Sequence, residues 1–199
     1  MVDPTSGGSS NFGNMFSMAG AALLLPFLPM LPIQVLLNNL LYDTSELALP
    51  FDRVDEEAVA RPVRWDMRLI ERFMLVFGPL SSVFDFLTFG ALLWLLRAGE
   101  AEFQTGWFVE SLASQILVIF VIRTRRSLFA SRPHPLLTWL SLGLVAAAAA
   151  LPFTPVAGWF GFVPLPPAYF AFLAAAILAY LALVEGAKRI FFRRLARGS

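Results

Sequence analysis

An all-α membrane bundle of about six transmembrane helices is the fold class this sequence predicts, and three observations carry the prediction. The chain is 58% hydrophobic and only 15% charged, whereas a soluble domain carries about 25% charged residues to coat its surface. Apolar segments approaching the roughly 20 residues needed to cross a bilayer recur along the chain between short polar connections. All but one of the 15 basic residues fall in alternate connections and the tail. No segment alternates as a strand would, and Leu, Ala and Phe dominate the apolar runs, so helices must satisfy the backbone within lipid. At 199 residues, six crossings leave no room for a sizeable soluble catalytic domain. The absence of cysteine and the single histidine exclude thiolate chemistry and a multi-histidine site, so any ion chemistry must use oxygen ligands. A net charge of +1 gives no case for nucleic-acid binding.

The elements follow in chain order. Residues 1–10 are polar and rich in Gly and Ser, with no basic stretch ahead of an apolar core, so they do not read as a signal peptide. The first apolar segment runs from about Phe12 to Leu28 and ends in the proline cluster Pro26, Pro29 and Pro32, where the helical ladder must break and the chain reverse into a hairpin. The second, from about Ile33 to Leu49, is interrupted by Asn38, Asn39, Asp43 and Glu46 and stops at Pro50. A charge-rich loop, 51–72, belongs in water or among headgroups. Further spans are predicted at about Phe73 to Leu96, Gly106 to Ile122, Leu136 to Leu151 and Ala168 to Ala187.

Charge sets an expected orientation. Five arginines lie in the 51–72 loop, four in the 123–135 loop, and five basic residues in the tail from Lys188 onward; Arg97 is the one remaining of 15. Such an asymmetry places the charged loops and both termini in the cytoplasm. The basic, aromatic tail KRIFFRRLAR suits an anionic-lipid surface, and His134, between Pro133 and Pro135, reads as a solvated loop residue.

Ionisable groups within spans are costly and mark candidate sites. Here they are Asp43, Glu46, Asp85, Glu110 and Glu185, all acidic, which suits a cation. Asn39, Asp43 and Glu46 are spaced four and three apart and share one helix face; Asn11 and Asn14 are three apart in the first segment. A hairpin could bring these faces together as a cluster of amide and carboxylate oxygens fit for a hard ion such as Mg²⁺. Equally, such amides hold helices together by interhelical hydrogen bonds. Asp85, among Ser81, Ser82 and Thr88, reads as a structural buried acid satisfied by hydroxyls. Glu110, with Ser111, Ser114 and Gln115 nearby, is a candidate peripheral ligand or proton acceptor.

The segments SSNFGNMFSMAGAALLLPFLPMLPIQVLLNNLLYDTSELALPFDRVDEE, RPVRWDMRLIERFMLVFGPLSSVFDFLTF and FQTGWFVESLASQILVIFVIRTRR closely resemble the C-terminal membrane region of bacterial magnesium-translocating P-type ATPases. The resemblance covers about Ser9 to Arg194 and implies that the six segments are the fifth to tenth transmembrane helices of such a pump. SSNFGN matches the part of the fifth helix facing the transport site, which implies Asn11 and Asn14 as metal ligands. NNLLYD matches the sixth, which implies Asn39 and Asp43, with Tyr42 as an accessory ion-path residue; Glu46, on the same face by spacing, is a further accessory candidate. GWFVES matches the eighth helix and implies Glu110 as another accessory residue.

The resemblance also implies what the chain lacks. The phosphorylated-aspartate motif DKTGT, the TGES and TGD motifs and a proline-broken fourth helix do not occur in it. The expectation is a C-terminal transport domain, residues 11–194 between a polar start (1–10) and a tail (195–199), occurring as a truncated product in a bacterial inner membrane. By itself it would hydrolyse no ATP and would hold at most half of a site for Mg²⁺ or another divalent ion. Its expected partners are the bilayer and the missing N-terminal part of the pump or a full-length pump. The alternatives are a stand-alone interaction protein and an oligomeric cation channel.

Overall fold

The computed structural model describes residues 5–52, 67–122 and 133–197; for residues 5–13, 67–74, 76–77, 122, 189 and 191–197 it describes the backbone alone. The described residues form six α-helices and no strand: α1 (Thr5–Leu24), α2 (Pro32–Glu46), α3 (Met67–Gly90, continued by a π-helical turn Ala91–Leu95), α4 (Glu100–Ile122), α5 (Pro135–Ala150) and α6 (Pro167–Arg197). The six-helix order matches the sequence reading, and the boundaries differ where local chemistry decides. The polar start of the chain is helical from Thr5, so it is part of the first helix rather than a lead-in. That helix ends at Leu24, four residues early; Leu25 makes the last backbone bond, to Ala21, and Pro26 has no N–H to continue it. Pro32 opens α2 at the first helical position, where a missing donor costs nothing. Gln34 folds back to accept from the Leu31 N–H at 3.1 Å. Residues 67–72, assigned to the charged loop from sequence, already belong to α3; 53–66 lie outside the described residues.

Four of these helices are long and apolar enough to cross a membrane: Gly78–Leu95, Glu100–Val121, Pro135–Phe153 and Pro167–Lys188. α2 has 15 residues, about 22 Å at 1.5 Å per residue against a hydrocarbon core of about 30 Å, and the apolar part of α1 is Asn14–Leu24. Both are cut short by the proline-rich connection between them.

α4 is the axis of the bundle. Of its span 89% is buried, against 22% for the α5 and α6 spans. Phe103, Trp107, Phe108, Leu112 and Ile116 of α4 are all at most 1% exposed. Aromatic edges lock the neighbours to it: Phe89 of α3 meets the Trp107 ring at 4.9 Å and 88°, and Phe162 meets Phe108 at 4.6 Å. Gly106 lets α6 come close, since a Cβ there would lie 2.7 Å from Leu92 Cδ2 and 3.3 Å from the Tyr169 ring. Through that gap Tyr169 Oη donates to the Gly106 carbonyl at 2.5 Å. α1 packs mainly on α3, and α2 on α4 and α5.

Side chain to backbone bonds stitch both ends. At the end holding the proline-rich connection, Gln34 Nε2 donates to Phe160 O (2.9 Å), Gln104 Nε2 to Leu28 O (2.8 Å) and Val163 N to Thr105 Oγ1 (3.1 Å). Gly161, in the left-handed region at φ 70°, closes the 157–160 turn there against Leu31. At the opposite end Asp52 Oδ1 accepts from His134 N at 2.7 Å, and His134 Nδ1 accepts from Leu136 N at 3.2 Å. The histidine read as a solvated loop residue is therefore half-buried and caps α5.

A second correction concerns charge. The buried charge is not all carboxylate: Lys188, assigned to the basic tail, is 2% exposed. Its Nζ donates to Val121 O at 2.8 Å and pairs with Glu185 Oε2 at 2.8 Å. An aliphatic stem in the bundle and an ammonium on the last turn of α4 satisfy that helix end, where a cation is favoured.

Candidate ion site and the buried polar network

The helical repeat of α2 sorts its polar residues onto two faces. Gln34, Asn38, Tyr42 and Ser45 are buried toward α4 and α5. Asn39 and Asp43 are exposed, in a stripe with Leu36, Leu40 and Leu47, and Glu46 is half-buried at the edge. Asn39 and Asp43 thus do share a face, as their spacing requires. Among the described residues that face has no protein against it, and neither side chain makes a hydrogen bond. A carboxylate and an amide in an otherwise apolar stripe cannot be left facing hydrocarbon, so water, an ion or another helix must meet them.

Asn14 goes elsewhere. Its Nδ2 donates to Ser111 Oγ of α4 at 2.8 Å, and Gln115 Nε2 donates to the same oxygen at 2.8 Å. The proline hairpin therefore does not turn Asn14 to the face of Asn39 and Asp43: α1 packs on α3 and α4, and α2 on α4 and α5. No group of three or more His, Asp or Glu side chains able to hold a metal occurs among the described residues. The backbone of Asn11 lies in α1, and its side chain falls outside the described residues.

The polar residues of α1, α3 and α4 instead build an interior network. Asp85 is 1% exposed, and its partners are not Ser81, Ser82 or Thr88, the neighbours on its own helix. Ser17 Oγ of α1 donates to Asp85 Oδ2 at 2.5 Å, and Trp107 Nε1 of α4 donates to Oδ1 at 3.1 Å. Ser82 Oγ bonds Gly78 O, and Thr88 Oγ1 has no partner. Glu110 on α4 is likewise buried, at 3% exposed. Its Oε2, Gln115 Oε1 and both amide atoms of Asn38 have no partner.

Sequence reasoning missed Trp107 as a member of this network, and it placed Ser17 on the Asn14 face and Ser111 beside Glu110 without their partners on other helices. The signal was present in part: Ser17 stands three residues after Asn14, and Trp107 three before Glu110, so each lies on the face of a residue already singled out. What sequence could not give was the pairing between helices. Because Trp107 supplies one of the two donors to a buried carboxyl, Trp107→Phe should destabilise the detergent-solubilised domain by about 1–3 kcal/mol. Thermal unfolding followed by circular dichroism measures this, and an unchanged midpoint would refute the contact.

Comparison with known proteins gives a consistent picture. A family model described as "Cation transporting ATPase, C-terminus" matches residues 27–190. A "Magnesium-transporting ATPase, P-type 1" of Salmonella typhimurium strain 14028s is 46% identical over 191 residues, covering 94% of this chain and 21% of that protein. The protein of the same description from Escherichia coli K12 is 45% identical over 194 residues, again covering 94% of this chain and 21% of the relative. The chain thus spans about a fifth of the length of the curated relatives it matches.

Proposed function

Because the chain belongs to the cation-transporting ATPase C-terminal family, we propose that it works as the C-terminal membrane domain of an ATP-driven pump for Mg²⁺. The observation that carries this reading is the continuous 45–46% identity to magnesium-transporting ATPases over 94% of the chain. Within the domain, the exposed α2 stripe with Asn39 and Asp43 contributes oxygen ligands, and α1 contributes Asn11 and Asn14. Tyr42, Glu46 and Glu110 are accessory to the ion path. One or two carboxylates with amides and retained water suit Mg²⁺, which dehydrates reluctantly. The open face of α2 is where the remaining helices of the pump complete the site, and phosphoryl transfer in its cytoplasmic domains supplies the energy. The basic loops and both termini face the cytoplasm of a bacterial cell, following the distribution of arginine.

The test is a domain exchange. Replacing the matching fifth of the Escherichia coli relative with this chain should give a hybrid that carries Mg²⁺ in a strain lacking its own Mg²⁺ uptake. A hybrid that inserts and is phosphorylated by ATP but moves no Mg²⁺ would refute the assignment.

A further inference from the structure

Two neighbouring turns of α1 are tied to α4 by separate sets of hydrogen bonds. Ser17 Oγ donates to Asp85 Oδ2, and Trp107 Nε1 of α4 donates to the other oxygen of that carboxyl. One turn earlier in α1, Asn14 Nδ2 donates directly to Ser111 Oγ at 2.8 Å, and Ser111 lies one turn beyond Trp107 on α4. The first tie does not involve Asn14, so the seating of α1 does not depend on Ser111 alone.

The second tie decides which end of the Asn14 amide faces α4. The terminal torsion of asparagine is broad and roughly two-fold, so an untethered amide presents its oxygen or its nitrogen to either side. Ser111 is fully buried, and its Oγ also receives Gln115 Nε2, one turn along, at 2.8 Å. Two N–H donors occupy both lone pairs of the hydroxyl oxygen. The nitrogen of Asn14 is thereby held on α4, and Oδ1 is left as the unengaged end. Asn14 is half-buried, and among the described residues nothing donates to that oxygen. The difference matters for a cation: an amide NH₂ carries only donors, whereas Mg²⁺ takes oxygen ligands.

We propose that Ser111 is a positioning residue of the ion site, which fixes Asn14 with its nitrogen on α4 and keeps Oδ1 available to the cation. Gln115 holds the serine hydroxyl in turn. Ser111 itself touches no ion. Its contribution is to remove the flipped orientation of Asn14, in which two N–H groups would meet the cation. The proposal rests on the reading of Asn14 as a ligand in a Mg²⁺ pump and adds to it a residue on a different helix.

The test uses the hybrid pump of the domain exchange, with Mg²⁺ uptake measured over a range of MgCl₂ concentrations and thermal unfolding of the solubilised protein beside it. Ser111→Ala should raise KM for Mg²⁺ about 10–100-fold, the range for losing a group that orients a metal ligand. kcat at saturating Mg²⁺ should stay within about twofold, because the lost interaction is made equally before and during transport. Ser111→Cys, close in size but a weak acceptor, should behave as Ser111→Ala does, and Ser111→Thr, which keeps the hydroxyl, should restore KM. A serine that merely packs would lower the unfolding midpoint or kcat and leave KM unmoved, which overturns the proposal. A folded Ser111→Thr variant with KM as high as that of Ser111→Ala overturns it too. Should Ser111→Thr not fold, Ser111→Cys decides, since an unchanged KM there overturns the proposal. If the hybrid moves Mg²⁺ and Ser111→Ala leaves its KM unchanged, the proposal alone fails; if the unaltered hybrid moves none, the pump reading fails and takes the proposal with it.

Discussion

Asp43→Asn, introduced into the hybrid pump, is expected to lower Mg²⁺ uptake by at least about 100-fold while leaving insertion and thermal stability unchanged. The two halves of this expectation rest on different facts. Asp43 is exposed and makes no side-chain hydrogen bond among the described residues, so replacing its carboxylate by an isosteric amide removes no contact that holds α2 in place. The ion, by contrast, loses a negatively charged oxygen. Even changes in the partners that merely orient a metal ligand cost 10–100-fold, and Mg²⁺ is held by few protein carboxylates, so each matters more. Uptake of isotopic or dye-reported Mg²⁺ in cells, beside thermal unfolding of the solubilised protein, separates the readings. If Asp43 and Asn39 served only to glue helices, stability would fall and transport would persist.

Lys188→Ala should be the most damaging single change to the fold. The ammonium is almost fully buried and serves both Glu185 and the carbonyl of Val121. Truncation strands a largely buried carboxylate and uncaps the last turn of α4. Breaking a buried pair from one side costs about 3–5 kcal/mol, which for a chain of this size lowers the unfolding midpoint by roughly 6–20 °C. The double substitution Glu185→Gln with Lys188→Met removes both charges at similar volume and should recover most of the loss. A Lys188→Ala midpoint within a degree of the unaltered chain would mean that this side chain reaches water.

The fold was largely legible because lipid imposes a simple grammar. Apolar length identified α3 to α6 directly, and proline placed the breaks around Pro26, Pro32 and Pro50. The misreadings have physical causes. Thr5 to Ser10 look like a polar leader because hydropathy measures transfer to lipid and says nothing of helical continuity. Lys188 looked like a tail residue because its sequence neighbours Arg189, Arg193 and Arg194 are basic; only the meeting of α6 with α4 reveals a carbonyl waiting for it. For the candidate site, spacing correctly gave the common face of Asn39 and Asp43. It could not say that Asn14 spends its amide on Ser111, because contacts between helices depend on packing angles that periodicity does not encode. Asp85 shows the same limit: its acidity marked it as buried and bonded, and its partners proved to be Ser17 and Trp107 from other helices rather than the hydroxyls of its own.

The near-total enclosure of α4 has a consequence for how the protein is made. Of the four helices able to span a bilayer it is the least apolar, since it carries Gln104, Thr105, Glu110, Ser111, Ser114 and Gln115. A nascent α4 released alone into lipid would keep the bonds that Gln104, Thr105, Ser114 and Gln115 make within the helix but would leave Glu110 and the partners of Trp107 and Ser111 on other helices unmet, and α1 to α3 precede it in the chain. Its integration should therefore depend on earlier helices waiting beside the translocon, with Asn14 and Asp85 receiving it. α5 and α6, apolar enough to partition unaided, can then close around it. The order of synthesis and the order of burial coincide, so the helix at the centre of the finished bundle is the one whose entry into the membrane must be chaperoned by the rest of its own chain.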